Sequence, residues 1–195
     1  MSHVFHARHH TCDYVSLPCP EQGDLPLPWF RSPTDAAPFV EHEGPRMEAN
    51  LAKILYTAEA TVTGGRVNGH GVSSDGALDV QLRSPKEMGG EGGGTNPEQL
   101  FAVGYAACFE SALGVVARRE QVNVGDVSID SRVSLLPTEA RGFTLAVELD
   151  VTLPEVEDPE QAAKIVAASH LVCPYSNATR GNIDVKLTAN GREVS

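Results

Sequence analysis

The sequence predicts an α+β fold. Short alternating runs of β-branched residues flank turn signals, which reads as antiparallel hairpins. Two longer apolar segments each open on a capping residue followed by proline, which reads as helices. The order is strands, helix, strands, helix, strand, and hairpins separated by helices predict segregated antiparallel sheets rather than a doubly wound parallel one.

The elements follow in order. Residues 1–46 hold seven of the 13 prolines, five of the seven histidines and the single tryptophan, with no sustained period of 2 or 3.6. This segment is expected to be an extended or disordered arm, and Met47 to begin the folded part, 47–195. "AKILYTAEATVTGG" is strand-like and ends on a Gly-Gly turn. "RVNGHGVSSDGALDVQLRS" continues as hairpins, with Asn68-Gly69 and Asp75-Gly76 as turn signals. A glycine-rich loop, "PKEMGGEGGGTNPEQ", leads into "NPEQLFAVGYAACFESALGVVARRE". Thr95 or Asn96 can cap that helix, and its near-continuous apolar character from Leu100 to Ala117 predicts a buried central position. "VSIDSRVSLLP" and "FTLAVELDVTLP" alternate as strands around the turn "TEARG". "DPEQAAKIVAASHLV" is a second helix with Asp158 as N-cap, and "IDVKLTANG" is a closing strand.

Bulk properties narrow the function. The chain has 195 residues and a net charge of −11. Such an acidic protein is repelled by nucleic acid and by anionic membranes, so neither is expected as a partner. No apolar run approaches the roughly 20 residues that span a bilayer. "MSHVFHARHHTCDYV" lacks the apolar stretch of a secretory signal, so a cytoplasmic location is expected. There, thiols stay reduced unless they do chemistry.

Several motifs carry little. "GGEGGGT" lacks the Lys-Ser/Thr pair of a phosphate loop. Asn177-Ala178-Thr179 matches a glycosylation sequon, which means nothing without a secretory route. His3, His6, His9, His10 and Cys12 are metal-capable but sit on no ordered scaffold, and the core offers only His70 and His170. No metal site is expected, and no Ser-His-Asp elbow is visible.

The cysteines say more. Cys12 and Cys19 lie in the arm, Cys108 and Cys173 in the core. Cys108 alone reads first as a small core residue. Cys173 precedes Pro174, so it should end the second helix, and alone it reads equally as a turn residue. Together they place one thiol on each predicted helix. A redox pair then requires Cα atoms within about 7 Å, which a sequence does not reveal. Arg66 follows a turn and reads alone as a solvated charge. Glu98 in a first helical turn is accounted for by the helix dipole. Glu98 and Cys108 are about 15 Å apart along a straight helix and differ by roughly 80° in direction. An arginine between them, a bend near Gly104 or a second subunit would be needed to connect them.

"LYTAEATVTGGR", "VSSDGALDV", "GTNPEQLFAVGYAACFESAL" and "VCPYSNATRGNIDV" resemble the organic hydroperoxide resistance branch of the OsmC/Ohr peroxidases. The resemblance runs from about Lys53 to Gly191, and the arm departs from that family's compact length. It implies antiparallel sheets wrapped around two central helices in an intertwined homodimer, with active sites at the subunit interface. It implies a thiol peroxidase without metal, haem or other bound cofactor. Cys108 would be the peroxidatic cysteine and Cys173 the resolving one, joined in a disulfide during turnover. Arg66 and Glu98 would poise the thiolate, and dihydrolipoyl groups of lipoylated proteins would act as the external reductant.

The chemistry agrees with that implication. A free cysteine, with pKa about 8.5, is mostly protonated at neutral pH, and apolar burial raises the value further. Cys108 in "YAACF" therefore needs a cation, for which Arg66 is the candidate, with Glu98 orienting the guanidinium. Phe101 and Phe109 suggest an apolar pocket favouring alkyl or lipid hydroperoxides over hydrogen peroxide. Pro174 would present Cys173 at a mobile edge. Two other readings stay open: a non-enzymatic redox-responsive binding protein switched by the same disulfide, and a related peroxidase that prefers hydrogen peroxide.

Overall fold

The computed structural model describes residues 53–194. The expected arm, residues 1–46 with Cys12 and Cys19, and the start at Met47 lie outside the described residues. The first sheet is antiparallel, in the order β1 (Ala60–Thr63), β2 (Gly69–Ser73), β3 (Asp79–Arg83). "KILYTAE" before Ala60 is not strand, so among the described residues the first predicted strand is shorter than its β-branched pattern suggested. A single helical turn, α1 (Gly65–Asn68), joins β1 to β2. Gly64 there has φ +70°, and a Cβ would meet the Asn68 carbonyl oxygen at 2.6 Å, so this tight turn requires glycine. A 3-10 turn, Lys86–Met88, follows β3.

Helix α2 (Pro97–Glu120) starts where the capping signal predicts. The Gln99 backbone N–H donates to Asn96 Oδ1 at 2.9 Å, and Gln99 Oε1 accepts from the Asn96 N–H at 3.2 Å. This reciprocal box satisfies two otherwise orphaned donors. The helix ends at Gln121, whose left-handed backbone turns its N–H to the Ala117 carbonyl. A bridge between Leu82 and Thr95 ties β3 to the segment that opens α2.

The second sheet runs β4 (Ser128–Pro137), β5 (Phe143–Thr152), β6 (Asp184–Ala189), β7 (Arg192–Glu193). β4 and β5 pair antiparallel along their full length, Ser128 with Thr152 through Pro137 with Phe143. β5 and β6 pair parallel, Ala146 with Asp184 through Val151 with Ala189. The sheet is therefore mixed, a correction to the purely antiparallel expectation. The reason is the crossover: helices α3 (Pro159–Val172) and α4 (Pro174–Thr179) carry the chain back to the starting end of β5. Alternate residues Val147, Leu149 and Val151 of β5 are buried. They share one core with Tyr105, Phe109, Leu113 and Val116 of α2 and with Ala162, Ile165 and Val166 of α3. The α+β class and the packing of sheets with two long helices hold.

Two expectations about α2 change. Among the described residues, one stripe of the helix is buried, at Tyr105, Phe109, Ala112, Leu113, Val116 and Ala117, whereas Val103 on another face is 71% exposed. By length and composition, α2 is also apolar enough to cross a membrane. Gly104, Glu110 and Ser111 interrupt the apolar letters, which is why counting an unbroken run missed it. Within the fold its buried stripe lies against α3 and β4.

His170, near the end of α3, makes a testable contribution. Its Nδ1 is buried without a hydrogen-bond partner among the described residues. Arg180 Nη2 donates to the His170 carbonyl at 2.7 Å. Burial first, and the Arg180 charge second, hold the imidazole below its ordinary value of 6.5. The unfolded chain therefore takes up this proton first as pH falls. The stability associated with the neutral ring is present above about pH 6.5 and is lost as pH falls through the lower folded value. Thermal melts at pH 7.5 and 5.0 should show a smaller acid loss in His170→Leu than in the unsubstituted chain. Equal losses would remove His170 as the cause.

Candidate active site

Cys173 is built by two helices at once. Its N–H bonds to the Ser169 carbonyl at 2.9 Å and closes α3, and its own carbonyl accepts from Asn177 N–H at 3.0 Å and opens α4. Its φ of −62° and ψ of 124° are extended, as a residue before proline must be. The polar run after it is the helix α4, not a turn. Pro174 at the first helical position reads as a breaker in the sequence, yet it is well suited to start a helix. Cys173 is 0% exposed. That corrects the expected mobile edge: the kink points the thiol inward.

Cys108, on α2, is half-buried, and the sulfur atoms of Cys173 and Cys108 are 3.6 Å apart, both thiols free. The two helices thus meet at their cysteines, 65 residues apart in the chain. A disulfide needs about 2.05 Å between the sulfurs, so closure asks for a shift on the order of 1.5 Å. Burial, the largest cause, pushes the Cys108 thiol above its ordinary value, and proximity to Cys173 adds to this. The backbone N–H of Tyr175, at the start of α4, acts the other way and favours the thiolate.

Arg66 and Glu98 also meet. Arg66 leaves α1 and its Nη2 donates to Glu98 Oε1 at 2.6 Å, with the side chains 24% and 15% exposed. Arg66 Nη1 lies 3.8 Å from Met88 Sδ. The pair forms as a unit, but Arg66 is not among the groups acting on the Cys108 thiol of the same chain. The structure therefore brings together two halves, a dithiol and an ion pair, and does not join them within one chain. A cavity of about 620 Å³ beside Glu98 is lined by Met88, Ala102, Val133 and Leu135 among others, and by neither cysteine.

The two phenylalanines separate. Phe101 packs at the core edge, with its ring 5.8 Å from Tyr105 and 5.9 Å from Tyr175. Phe109 is fully buried in the core itself, away from any open surface. The pocket expectation is thereby corrected at Phe109: neighbouring residues on a helix face about 100° apart, so the residue after Cys108 turns into the core. Sequence reasoning missed Tyr105 and Tyr175. Their signal was available: Tyr105 is three residues before Cys108, hence on its side of the helix, and Tyr175 is two residues after Cys173.

Residues 90–188 match the family model described as OsmC-like protein. An organic hydroperoxide resistance protein of Xanthomonas axonopodis pv. citri is 54% identical over 142 residues, covering 72% of this chain and 98% of that protein. The organic hydroperoxide resistance protein OhrB of Bacillus subtilis is 48% identical over 134 residues, covering 68% of this chain and 96% of its own. A crystal structure of an organic hydroperoxide resistance protein from Legionella pneumophila superposes with a TM-score of 0.67 at 53% identity, covering 70% of this chain and 98% of that one. With the dithiol and the ion pair in place, these matches establish that the chain belongs to the OsmC-like family, in its organic hydroperoxide resistance branch.

Proposed function

We propose that the chain is a cytoplasmic, cysteine-based peroxidase that reduces organic hydroperoxides to alcohols, working as a homodimer without a bound metal or cofactor. The observation that carries this reading is the 3.6 Å approach of Cys173 Sγ to Cys108 Sγ between two helices. The Cys108 thiolate attacks the outer peroxide oxygen. The O–O bond breaks, the alcohol leaves after taking a proton, and Cys108 becomes a sulfenic acid. The Cys173 thiol then attacks Cys108 Sγ, forming the disulfide and releasing water. An external dithiol, a dihydrolipoyl group in this reading, takes up the disulfide by exchange and restores both thiols.

The separation of the two halves supports a shared site. The Arg66–Glu98 pair sits one end of α2 away from Cys108, about 15 Å along the axis. Two copies packed through the uncovered face of α2, running antiparallel about a two-fold axis, would bring the ion pair of one copy to the thiol of the other. Val62, Val67 and Val103 are exposed in the single chain, an apolar surface of the kind a second copy covers. In that arrangement Arg66 supplies the cation that the thiol otherwise lacks among the described residues. Phe101 and Tyr175, beside the dithiol, favour alkyl or lipid substrates.

The test is a turnover assay with cumene hydroperoxide, comparing dihydrolipoamide with thioredoxin as reductant. Repeated turnover with dihydrolipoamide, faster than with thioredoxin, is expected. A single stoichiometric oxidation with either reductant would overturn the enzyme reading in favour of a redox switch. Equal rates with hydrogen peroxide and a fatty-acid hydroperoxide would overturn the substrate class.

A further inference from the structure

Tyr105 has no place in the mechanism above, yet it is completely buried beside it. Its hydroxyl donates to Ser176 Oγ at 3.0 Å and lies 3.1 Å from Thr179 Oγ1. Both hydroxyls are on α4, and both residues are buried. Thr179 Oγ1 in turn donates to the Tyr175 carbonyl at 2.9 Å. One phenol on α2 thus reaches two hydroxyls on the short helix that begins at Cys173. The rings reinforce the contact: Tyr105 and Tyr175 have centroids 5.6 Å apart. Gly104 permits it, since a Cβ there would fall 3.1 Å from the Tyr175 hydroxyl.

We infer that Tyr105 is a positioning residue, whose buried hydroxyl pins α4 to α2 and so holds Cys173 within reach of Cys108. The reasoning is one of leverage. A helix of six residues has little stability of its own, so its placement depends on tertiary contacts. Tyr105 lies one turn before Cys108, and Ser176 one turn after Cys173, so the phenol–hydroxyl contact and the sulfur–sulfur contact are adjacent rungs between the same two segments. The same contact keeps the Tyr175 N–H on the Cys108 side. Loss of the phenol oxygen leaves the Ser176 hydroxyl buried without this partner and removes the rung while keeping the ring.

This inference rests on Cys108 and Cys173 forming a redox pair. Its test therefore uses diamide, an azo oxidant that takes two electrons and two protons from a dithiol and becomes the hydrazine, so no peroxidase activity is required. In the full-length chain, closure of the Cys108–Cys173 disulfide is followed by peptide mass mapping well below the melting temperature. Tyr105→Phe should slow closure about tenfold, the effect of losing one buried hydrogen bond at the reacting geometry. It should also displace the pH profile of Cys108 alkylation to higher pH. Ser176→Ala, a smaller change on the other side of the contact, should do both in the same direction. Closure rates and alkylation profiles equal to those of the unsubstituted chain, even with a lower melting temperature, would overturn the proposal and leave Tyr105 a structural residue. An unsubstituted chain that closes with diamide but does not turn over cumene hydroperoxide would sink the peroxidase reading alone, and the Tyr105 comparison would still be decided by its own rates.

Discussion

Cys108→Ser is expected to abolish hydroperoxide consumption, and Cys173→Ser to consume one equivalent per chain and then stall. The first effect should be roughly 10³-fold or more, down to the uncatalysed reaction, because a serine hydroxyl is hardly ionised and cannot carry a sulfenic acid. The second follows from the position of Cys173. It is fully buried and its sulfur is 3.6 Å from that of Cys108, so in the unsubstituted chain the sulfenic acid meets a thiol before it meets a second peroxide. Without that thiol the oxidised Cys108 persists as a sulfenic acid after the first equivalent, and only the slower over-oxidation to sulfinic and sulfonic acids, seen in excess peroxide, consumes more. Stopped-flow consumption gives the stoichiometry, and intact mass gives the added oxygens. Continued turnover by Cys173→Ser with dihydrolipoamide would mean that the external dithiol resolves Cys108 directly. Retained turnover by Cys108→Ser would remove it as the nucleophile.

The parts of this site that were legible in the sequence are the local ones. Asn96 before Pro97 and Asp158 before Pro159 announce both long helices, because capping and the proline preference act within one turn. The end of α3 at Cys173 was legible for the same reason. The parts that were not legible depend on contacts far apart in the chain. Parallel pairing of β5 with β6 is decided by how α3 and α4 return over the sheet. Which face of α2 is covered is decided by what packs there, and a nearly uniform apolar helix does not distinguish Phe109, in the core, from Val103, in the open. The Arg66–Glu98 pair spans 32 residues and could be named only by resemblance, not by spacing. The burial of Cys173 is not legible because Pro174 looks the same in sequence whether it breaks a helix or, as here, opens α4.

Arg66→Ala is expected to slow peroxide reduction at neutral pH by about 10- to 100-fold, the effect of a one- to two-unit rise in a thiol pKa on the thiolate fraction. Burial already pushes the Cys108 thiol up, and among the described residues the amide of Tyr175 opposes it. In the proposed shared site, loss of the guanidinium leaves the reactive form present only at higher pH. The rate of Arg66→Ala should therefore climb with pH beyond the point where the unsubstituted chain has levelled, and the two should converge in alkali. An unchanged rate and profile would take Arg66 out of the mechanism. The same variant tests where the ion pair acts. Mixed with Cys108→Ser and allowed to exchange subunits, Arg66→Ala should regain activity, because a mixed dimer pairs the intact Cys108 of one chain with the intact Arg66 of the other. Random pairing gives about a quarter of the unsubstituted activity, since half the dimers are mixed and each has one competent site. If Arg66 served the thiol of its own chain, neither parent could complete a site in the other, and mixing would restore nothing. Recovery on mixing thus separates the shared site from one confined to a single chain, without relying on how far either variant alone has fallen.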